Sequence, residues 1–329
     1  MIEVKNLTKK YAEHTAVSDL TFTVEDNQVY GFLGPNGAGK SPTMNIITGC
    51  LSATEGSVTI NGYDIFDDAI EAKKLIGYLP EIPPLYVDMT PKEFLGFIAD
   101  AKKVKKTDKN AQIESAMEKT GIKSVENKLI KSLSKGYRQR GAIAQALIGN
   151  PAIIILDEPT VGLDPKQIIE IRELIKDLGK DHTVILSSHI LSEVQAICGK
   201  ILIIAKGKLV ACDTPEKLEE MFSGNKKIEL VVRADEKEAL SAVSSIEEII
   251  EISSSTVSQD LTRLEITAAS ESEILEKLFF AFSQIDKTIV KMNEESASLE
   301  SIFLTLTQDS EDKKNLAKEE QPNESDIQA

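Results

Sequence analysis

Long apolar runs are missing from this chain, and with them any means of crossing a bilayer unaided. The longest stretches, Ala152 to Leu156 and Ile201 to Ala205, have the length of buried strands. A spanning helix needs roughly 18–20 apolar residues. The N-terminus, Met1-Ile2-Glu3-Val4-Lys5, lacks the charged-then-apolar layout of a secretory signal. Work at a membrane therefore requires spans from another polypeptide. Cysteine is scarce. Cys50, Cys198 and Cys212 form no C-x-x-C and no cluster with histidine, which points to a reducing compartment and no Cys/His metal site. Positive charge is also short: 38 Lys and Arg stand against 53 Asp and Glu, a net charge of -15. That balance argues against a general nucleic-acid binder. What remains is ordinary for a soluble globular protein, with 41% hydrophobic and 28% charged residues over 329 positions, a length that suggests two domains.

One stretch organises the rest. Gly34-Pro35-Asn36-Gly37-Ala38-Gly39-Lys40-Ser41 satisfies the G-x-x-x-x-G-K-[ST] phosphate-loop pattern. Gln28 to Leu33 before it reads as a strand, and Met44 to Thr48 after it as a helix. Glycines let backbone N–H groups turn inward around an anion, and the helix N-terminus adds partial positive charge. Lys40 is placed to reach the β- and γ-phosphates of a nucleotide, and the Ser41 hydroxyl to ligand Mg²⁺. Gly34, Asn36, Gly37, Ala38, Gly39, Lys40, Ser41, Pro42 and Thr43 are the candidate phosphate contacts. Pro42 is irregular. It removes an N–H that is a phosphate donor in such loops, a loss of roughly 1.5–3 kcal/mol, or about ten- to a hundredfold in affinity. It also biases Ser41 away from helical angles. Weakened nucleotide binding and a mis-aimed Mg²⁺ ligand are the expectations.

Downstream, Ala152 to Leu156 is continuously apolar, hence a strand buried on both faces, and it ends in Asp157-Glu158. Ligands of parallel α/β sheets sit at strand carboxyl ends. Asp157 is thus placed to hold Mg²⁺ through water, and Glu158 to orient or deprotonate an attacking water. Thr183 to Ser187 is a second buried strand, ending at Ser188-His189, where His189 becomes a γ-phosphate sensor candidate. Ser134 is a good N-cap for a helix over Gln139 to Ile148, and that helix start offers a second anion site. Tyr11 precedes the loop, in the turn between strands Ile2 to Val4 and Val17 to Val24, where an adenine ring has room to stack. Lys74 to Glu81 reads as a strand running into an acidic, proline-rich loop. Thr90 and Pro91 open a helix to Val104, and a second spans Asp108 to Thr120.

These motifs occur together in a known order. The phosphate loop, Leu133-Ser134-Lys135-Gly136-Tyr137, Leu156-Asp157-Glu158-Pro159, Gly162-Leu163-Asp164 and His189 resemble the ATPase subunit of an ATP-binding cassette (ABC) transporter, from Met1 to about Met221. The Tyr137-Arg138-Gln139-Arg140 continuation and Gly77-Tyr78-Leu79-Pro80-Glu81 resemble its export-type branch with separate membrane subunits. The resemblance implies an α/β P-loop NTPase cassette over residues 1–222, with a mainly parallel core sheet, an antiparallel β subdomain and a helical subdomain. It implies ATP and Mg²⁺ as cofactors and Glu158, His189 and Lys40 as catalytic residues, with Tyr11 on the adenine. Ser134 and Gly136 would touch the ATP held by the opposite subunit, with Asp164 at the dimer interface. Glu81 stands where many members carry glutamine and remains a Mg²⁺ ligand candidate beside Ser41 and Asp157. The implied partners are an integral-membrane permease and a second cassette, at the cytoplasmic face of the membrane. Two other readings share the motifs: a soluble ABC protein acting on ribosomes or DNA, and a weakly active nucleotide-dependent regulator, which Pro42 brings forward.

Beyond about Gly224 the pattern changes. Strands at Lys227 to Arg233, Ile249 to Ile252, Leu261 to Ile266 and Thr288 to Lys291, with helices at Glu236 to Val243 and Glu271 to Phe282, give βαββαβ. That order predicts a small ferredoxin-like α+β domain over 225–307. Leu299 to Leu304 reads as a closing amphipathic helix. The stretch 308–329 is polar and acidic and reads as a disordered tail.

Overall fold

The computed structural model describes residues 1–222, 226–258, 260–269 and 273–295. They divide into two compact units, Met1–Pro215 and one that begins at Glu216. Helix Pro215–Phe222 therefore falls almost wholly in the second unit, where the sequence pattern had closed the first.

The first unit opens with a long hairpin, β1 (Ile2–Tyr11) and β2 (His14–Val24), paired from Ile2 opposite Val24 to Tyr11 opposite His14. After β3 (Val29–Leu33) and α1 (Lys40–Ile47) come β4 (Glu55–Ile60) and β5 (Tyr63–Asp64). β2-β1-β4-β5 form one antiparallel sheet whose inward residues Ile2, Val4, Leu20, Val24, Val58 and Ile60 are fully buried. Next are α2 (Ala69–Lys74), β6 (Ile76–Leu79), and two helices of the helical region, α3 (Pro91–Ala101) and α4 (Lys106–Lys119). Thr90 starts α3 with a capping box: its hydroxyl accepts from Glu93 N–H, and the Glu93 carboxylate accepts from Thr90 N–H at 2.8 Å. α5 (Lys135–Leu147), β7 (Ile153–Asp157), α6 (Pro165–Leu178), β8 (Thr183–Ser188), α7 (Leu191–Ile197), β9 (Lys200–Ala205) and β10 (Lys208–Asp213) complete the unit.

The core sheet runs β10-β9-β3-β8-β7-β6, parallel throughout except for the β9–β10 hairpin. Every residue of β3, β7 and β8 is buried, as central strands of a sheet covered on both faces should be. The strand order sets the chemistry. β8 lies between β3 and β7, with Leu33 opposite Ser188 and Asp157 opposite Ser187. The phosphate loop, the acidic pair and His189 thus leave the sheet side by side.

Local differences have local causes. β1 carries on through Tyr11, which lies in a strand and not in a turn, because pairing with β2 persists to His14. Lys74 closes α2 and Leu75 caps it, so the strand starts only at Ile76. α5 starts at Lys135, directly after its Ser134 cap. α2 and α7 were not expected. They span six and seven residues, too short for a helical period to stand out.

In the second unit, after α8 (Pro215–Phe222), the order is β11 (Lys226–Val232), α9 (Glu236–Val243), β12 (Ile249–Ser258), β13 (Leu261–Ala268), α10 (Ile274–Gln284) and β14 (Ile289–Glu295). The antiparallel sheet is ordered β12-β13-β11-β14. Its helix-facing residues Ile228, Leu230, Val232, Leu264 and Ile266 pack with Ala239, Val243, Leu278 and Phe282 into an apolar core. Leu299 to Leu304 and the acidic stretch 308–329 lie outside the described residues.

Candidate functional site

A cavity of about 520 Å³ opens at the carboxyl ends of β3, β7 and β8. It brings together Tyr11, Asn36, Gly37, Gly39, Lys40, Ser41, Pro42, Glu81, Glu158 and His189. His14, Ala16 and Val161 line it as well, and no sequence motif marked them. His14 and Ala16 enter because the β1–β2 hairpin brings its turn to the loop. Gly39 explains the fit. Its φ is +104°, and a Cβ there would sit 2.5 Å from the Ala16 carbonyl oxygen, so only glycine lets the hairpin close on the loop. Gly34, Ala38 and Thr43 shape the loop from behind. The buried Thr43 hydroxyl donates to Gly39 O at 2.8 Å, and Ala38 O accepts from Gly207 N–H at 2.9 Å.

Lys40 is 6% exposed. Its ammonium donates to Gly34 O at 2.6 Å and Pro35 O at 3.3 Å, and lies 3.9 Å from Glu158 Oε1. Burial lowers its pKa, opposed by the carboxylates of Glu158, Asp157 and Glu81. Asp157 is pushed the other way. Burial raises its carboxyl pKa, the Ser187 hydroxyl that donates to Oδ1 lowers it, and Glu158 and Glu81 raise it further. A buried carboxylate with two like charges nearby is a site that favours an added cation.

Glu158 adopts φ +49°, a left-handed conformation that costs a non-glycine residue of order 1–3 kcal/mol. It is held there by its own N–H, which donates to the carbonyl of Ser187 at 3.2 Å and to its hydroxyl at 3.1 Å. The turn throws the carboxylate toward His189, whose Nδ1 lies 2.9 and 3.0 Å from its two oxygens. A strained turn, a buried ammonium and an imidazole–carboxylate pair thus meet at adjacent strand ends, an arrangement suited to receive a polyanion.

The comparisons with known proteins agree with this geometry. Residues 17–161 match the ABC transporter family. The linearmycin resistance ATP-binding protein of Bacillus subtilis is 30% identical over 308 residues, spanning 93% of this chain and 98% of that one. The chain belongs to the ABC transporter ATP-binding proteins. The bacitracin transport ATP-binding protein of Bacillus licheniformis is 35% identical over 308 residues, 93% of this chain and 97% of its own. Among solved structures, a dimeric ATP-binding cassette in a post-hydrolysis state with ADP and Pi is 26% identical with a TM-score of 0.59, covering 65% of this chain and 98% of that one.

Within this cassette, Ser134, Gly136 and Asp164 do not line the cavity. The start of α5 lies instead beside the start of α6. Ser134 caps α5 by accepting from Tyr137 N–H at 3.4 Å, and Asp164 caps α6 by accepting from Gln167 N–H at 3.0 Å. Gly136 sits under Gln167, where a Cβ would fall 2.7 Å from its Cδ. Two helix N-termini are thereby presented together on the surface of the unit.

Pro42 corrects one expectation. Ser41 is helical despite the proline behind it, because α1 begins at Lys40 and Thr43 N–H already reaches Gly39 O at 3.1 Å. Pro42 therefore occupies a first-turn position whose N–H has no intrahelical partner. What it removes is a donor toward the cavity, not the geometry of Ser41. The oxygen donors of Ser41, Asp157 and Glu81 suit a hard cation such as Mg²⁺. Among the described residues no group of three or more His, Cys, Asp or Glu side chains could hold a metal ion.

Proposed function

We propose that this chain hydrolyses ATP as one of two cassettes that close around Mg-ATP, and that it drives export through a membrane permease encoded separately. The observation that carries the reading is Lys40, Glu158 and His189 converging on one cavity. When the triphosphate enters, the Lys40 ammonium exchanges the carbonyls of Gly34 and Pro35 for β- and γ-phosphate oxygens. Tyr11, half-exposed at the cavity rim, offers its ring to adenine. Ser41, Asp157 and Glu81 would hold Mg²⁺, which supplies charge neutralisation for the phosphates. Glu158 orients the attacking water and accepts its proton. His189 releases Glu158 and turns its imidazole to the γ-phosphate.

The paired helix starts at Ser134 and Asp164 complete the site of a facing cassette, since exposed N–H groups at a helix N-terminus bind anions. Hydrolysis removes the shared charge and lets the pair separate. The loop after β6 links this to the membrane. Glu81 lines the cavity, while the next residue, Ile82, is 84% exposed beside exposed Tyr86, Val87 and Phe97. The Tyr86 and Phe97 rings meet edge to face at 5.3 Å. An apolar permease helix fits this face. No helix among the described residues is long and apolar enough to cross a membrane, so the subunit would sit peripherally at the cytoplasmic face. Relatives named for bacitracin transport and linearmycin resistance favour outward movement of the cargo.

Phosphate release with Mg-ATP tests the reading. Wild type turns over and Glu158→Gln falls about a thousandfold while still binding ATP. Equal rates for the two would refute the assignment of Glu158.

A further inference from the structure

Among the described residues of the first unit, Glu193 is a buried carboxylate that neither lines the nucleotide cavity nor belongs to the Asp157-Glu158 pair. It lies on α7, is 2% exposed, and no step above uses it. Its Oε2 accepts from two hydroxyls, Thr160 Oγ1 at 2.6 Å and Ser188 Oγ at 3.0 Å. Its Oε1 faces Arg172 Nη2 of α6 at 3.9 Å, and Arg172 Nε is buried without a hydrogen-bond partner. Thr160 and Ser188 are themselves buried, and Ser188 Oγ also accepts from Ile190 N–H at 3.0 Å.

The neighbours of these residues give the cluster its meaning. Thr160 follows Glu158 by two positions and leads to Asp164, the cap of α6. Ser188 precedes His189 at the end of β8. The two adjacent serines divide the labour: Ser187 ties Asp157 and the Glu158 backbone to β8, and Ser188 ties Glu193. A single carboxylate oxygen shared by two buried hydroxyls fixes the two segments relative to each other, because moving one strands a buried polar group on the other.

We propose that Glu193 is a positioning residue that couples the His189 strand end to the Thr160–Asp164 segment, so that nucleotide contact at His189 is transmitted to the surface offered to the facing cassette. This rests on the two-cassette reading above. Glu193 does not line the nucleotide cavity. It acts by holding Ser188 and Thr160 on one anchor, and the poorly satisfied Arg172 guanidinium gives α6 a place in the same cluster.

The test compares wild type, Glu193→Ala, Thr160→Val and Thr160→Ser in the full chain. Three readouts are taken: ATP affinity, kcat at saturating Mg-ATP, and ATP-dependent dimerisation in a Glu158→Gln background. Glu193→Ala and Thr160→Val are expected to keep ATP affinity within about threefold, while kcat and dimer affinity fall about tenfold or more. Thr160→Ser, which keeps the hydroxyl, recovers both, and the double variant Glu193→Ala/Thr160→Val is no worse than the weaker single. Should Glu193→Ala fail to fold, the Thr160→Val and Thr160→Ser pair decides alone. Unchanged kcat and dimerisation in Thr160→Val, or a kcat loss matched by an equal loss of ATP affinity, would overturn the coupling. A wild type that neither hydrolyses ATP nor dimerises would overturn the two-cassette reading and this inference with it, which is a different result from active wild type with indifferent variants.

Discussion

The two units treat buried polarity in opposite ways. The first keeps Lys40, Asp157, Glu158 and Glu193 out of water. Among the described residues of the second, Thr262 is the buried polar side chain, with its hydroxyl donated to Ala234 O at 2.8 Å. Charges there lie outside, as in the Glu229 carboxylate between Lys291 and Arg263, whose pKa falls mainly through the Lys291 hydrogen bond. Buried charge is costly unless something compensates it. Its concentration at the ends of three parallel strands says that the first unit is built around a charged ligand, and that the second is an apolar sandwich with a solvated surface.

The largest way to break that comparison is Lys40→Ala. Mg-ATP binding is expected to weaken by about a hundredfold or more, or ~3 kcal/mol, measured by titration. Retained affinity would mean that the buried ammonium serves the fold alone. Pro42→Thr comes next. With Ser41 already helical, only the donor is regained, so ATP affinity should tighten by about tenfold. No gain would show that the loop reaches the phosphates without this position.

How far the sequence foretold the site follows the same division between local and distant. The phosphate loop was legible because glycines, lysine and serine act at fixed offsets, and Asp157-Glu158 because a continuous apolar run, Ala152 to Leu156, precedes it. The βαββαβ order was legible from alternation and turn residues. Tyr11 was named but placed in a turn, and His14 and Ala16 were missed. The hairpin that carries them to the loop is set by pairing between β1 and β2, and no motif records it. Glu193 was invisible. On a seven-residue helix it reads as a solvated acid, and only the packing of α7 against β8 and α6 buries it. Pro42 misled for a related reason: the loop and its hydrogen bonds impose helical angles that the dipeptide preference alone opposes.

A smaller effect concerns charge without ligand. Asp157 has its pKa raised by burial, so the stability it confers is present below the ordinary carboxylate pKa and is lost as pH rises through the raised value. Asp157→Asn removes the penalty. In the absence of nucleotide its melting temperature should match wild type in acid and exceed it by about 2–4 °C at neutral pH, and Mg-ATP should stabilise it less than wild type. A wild type that melts higher at neutral pH would reverse the sign and contradict the burial argument. The smallest effect is expected in the second unit. Glu229→Gln breaks only surface pairs and should shift melting by no more than about 2 °C, with ATP turnover unchanged.

The central claim, that ATP is enclosed between two copies of this cassette, is tested most directly by the mass of Glu158→Gln in solution, read by light scattering with and without Mg-ATP. The account predicts a shift from monomer to dimer that requires nucleotide and disappears when Lys40→Ala is added. A protein that binds Mg-ATP to saturation yet stays monomeric, alone and with a related cassette supplied, would contradict it.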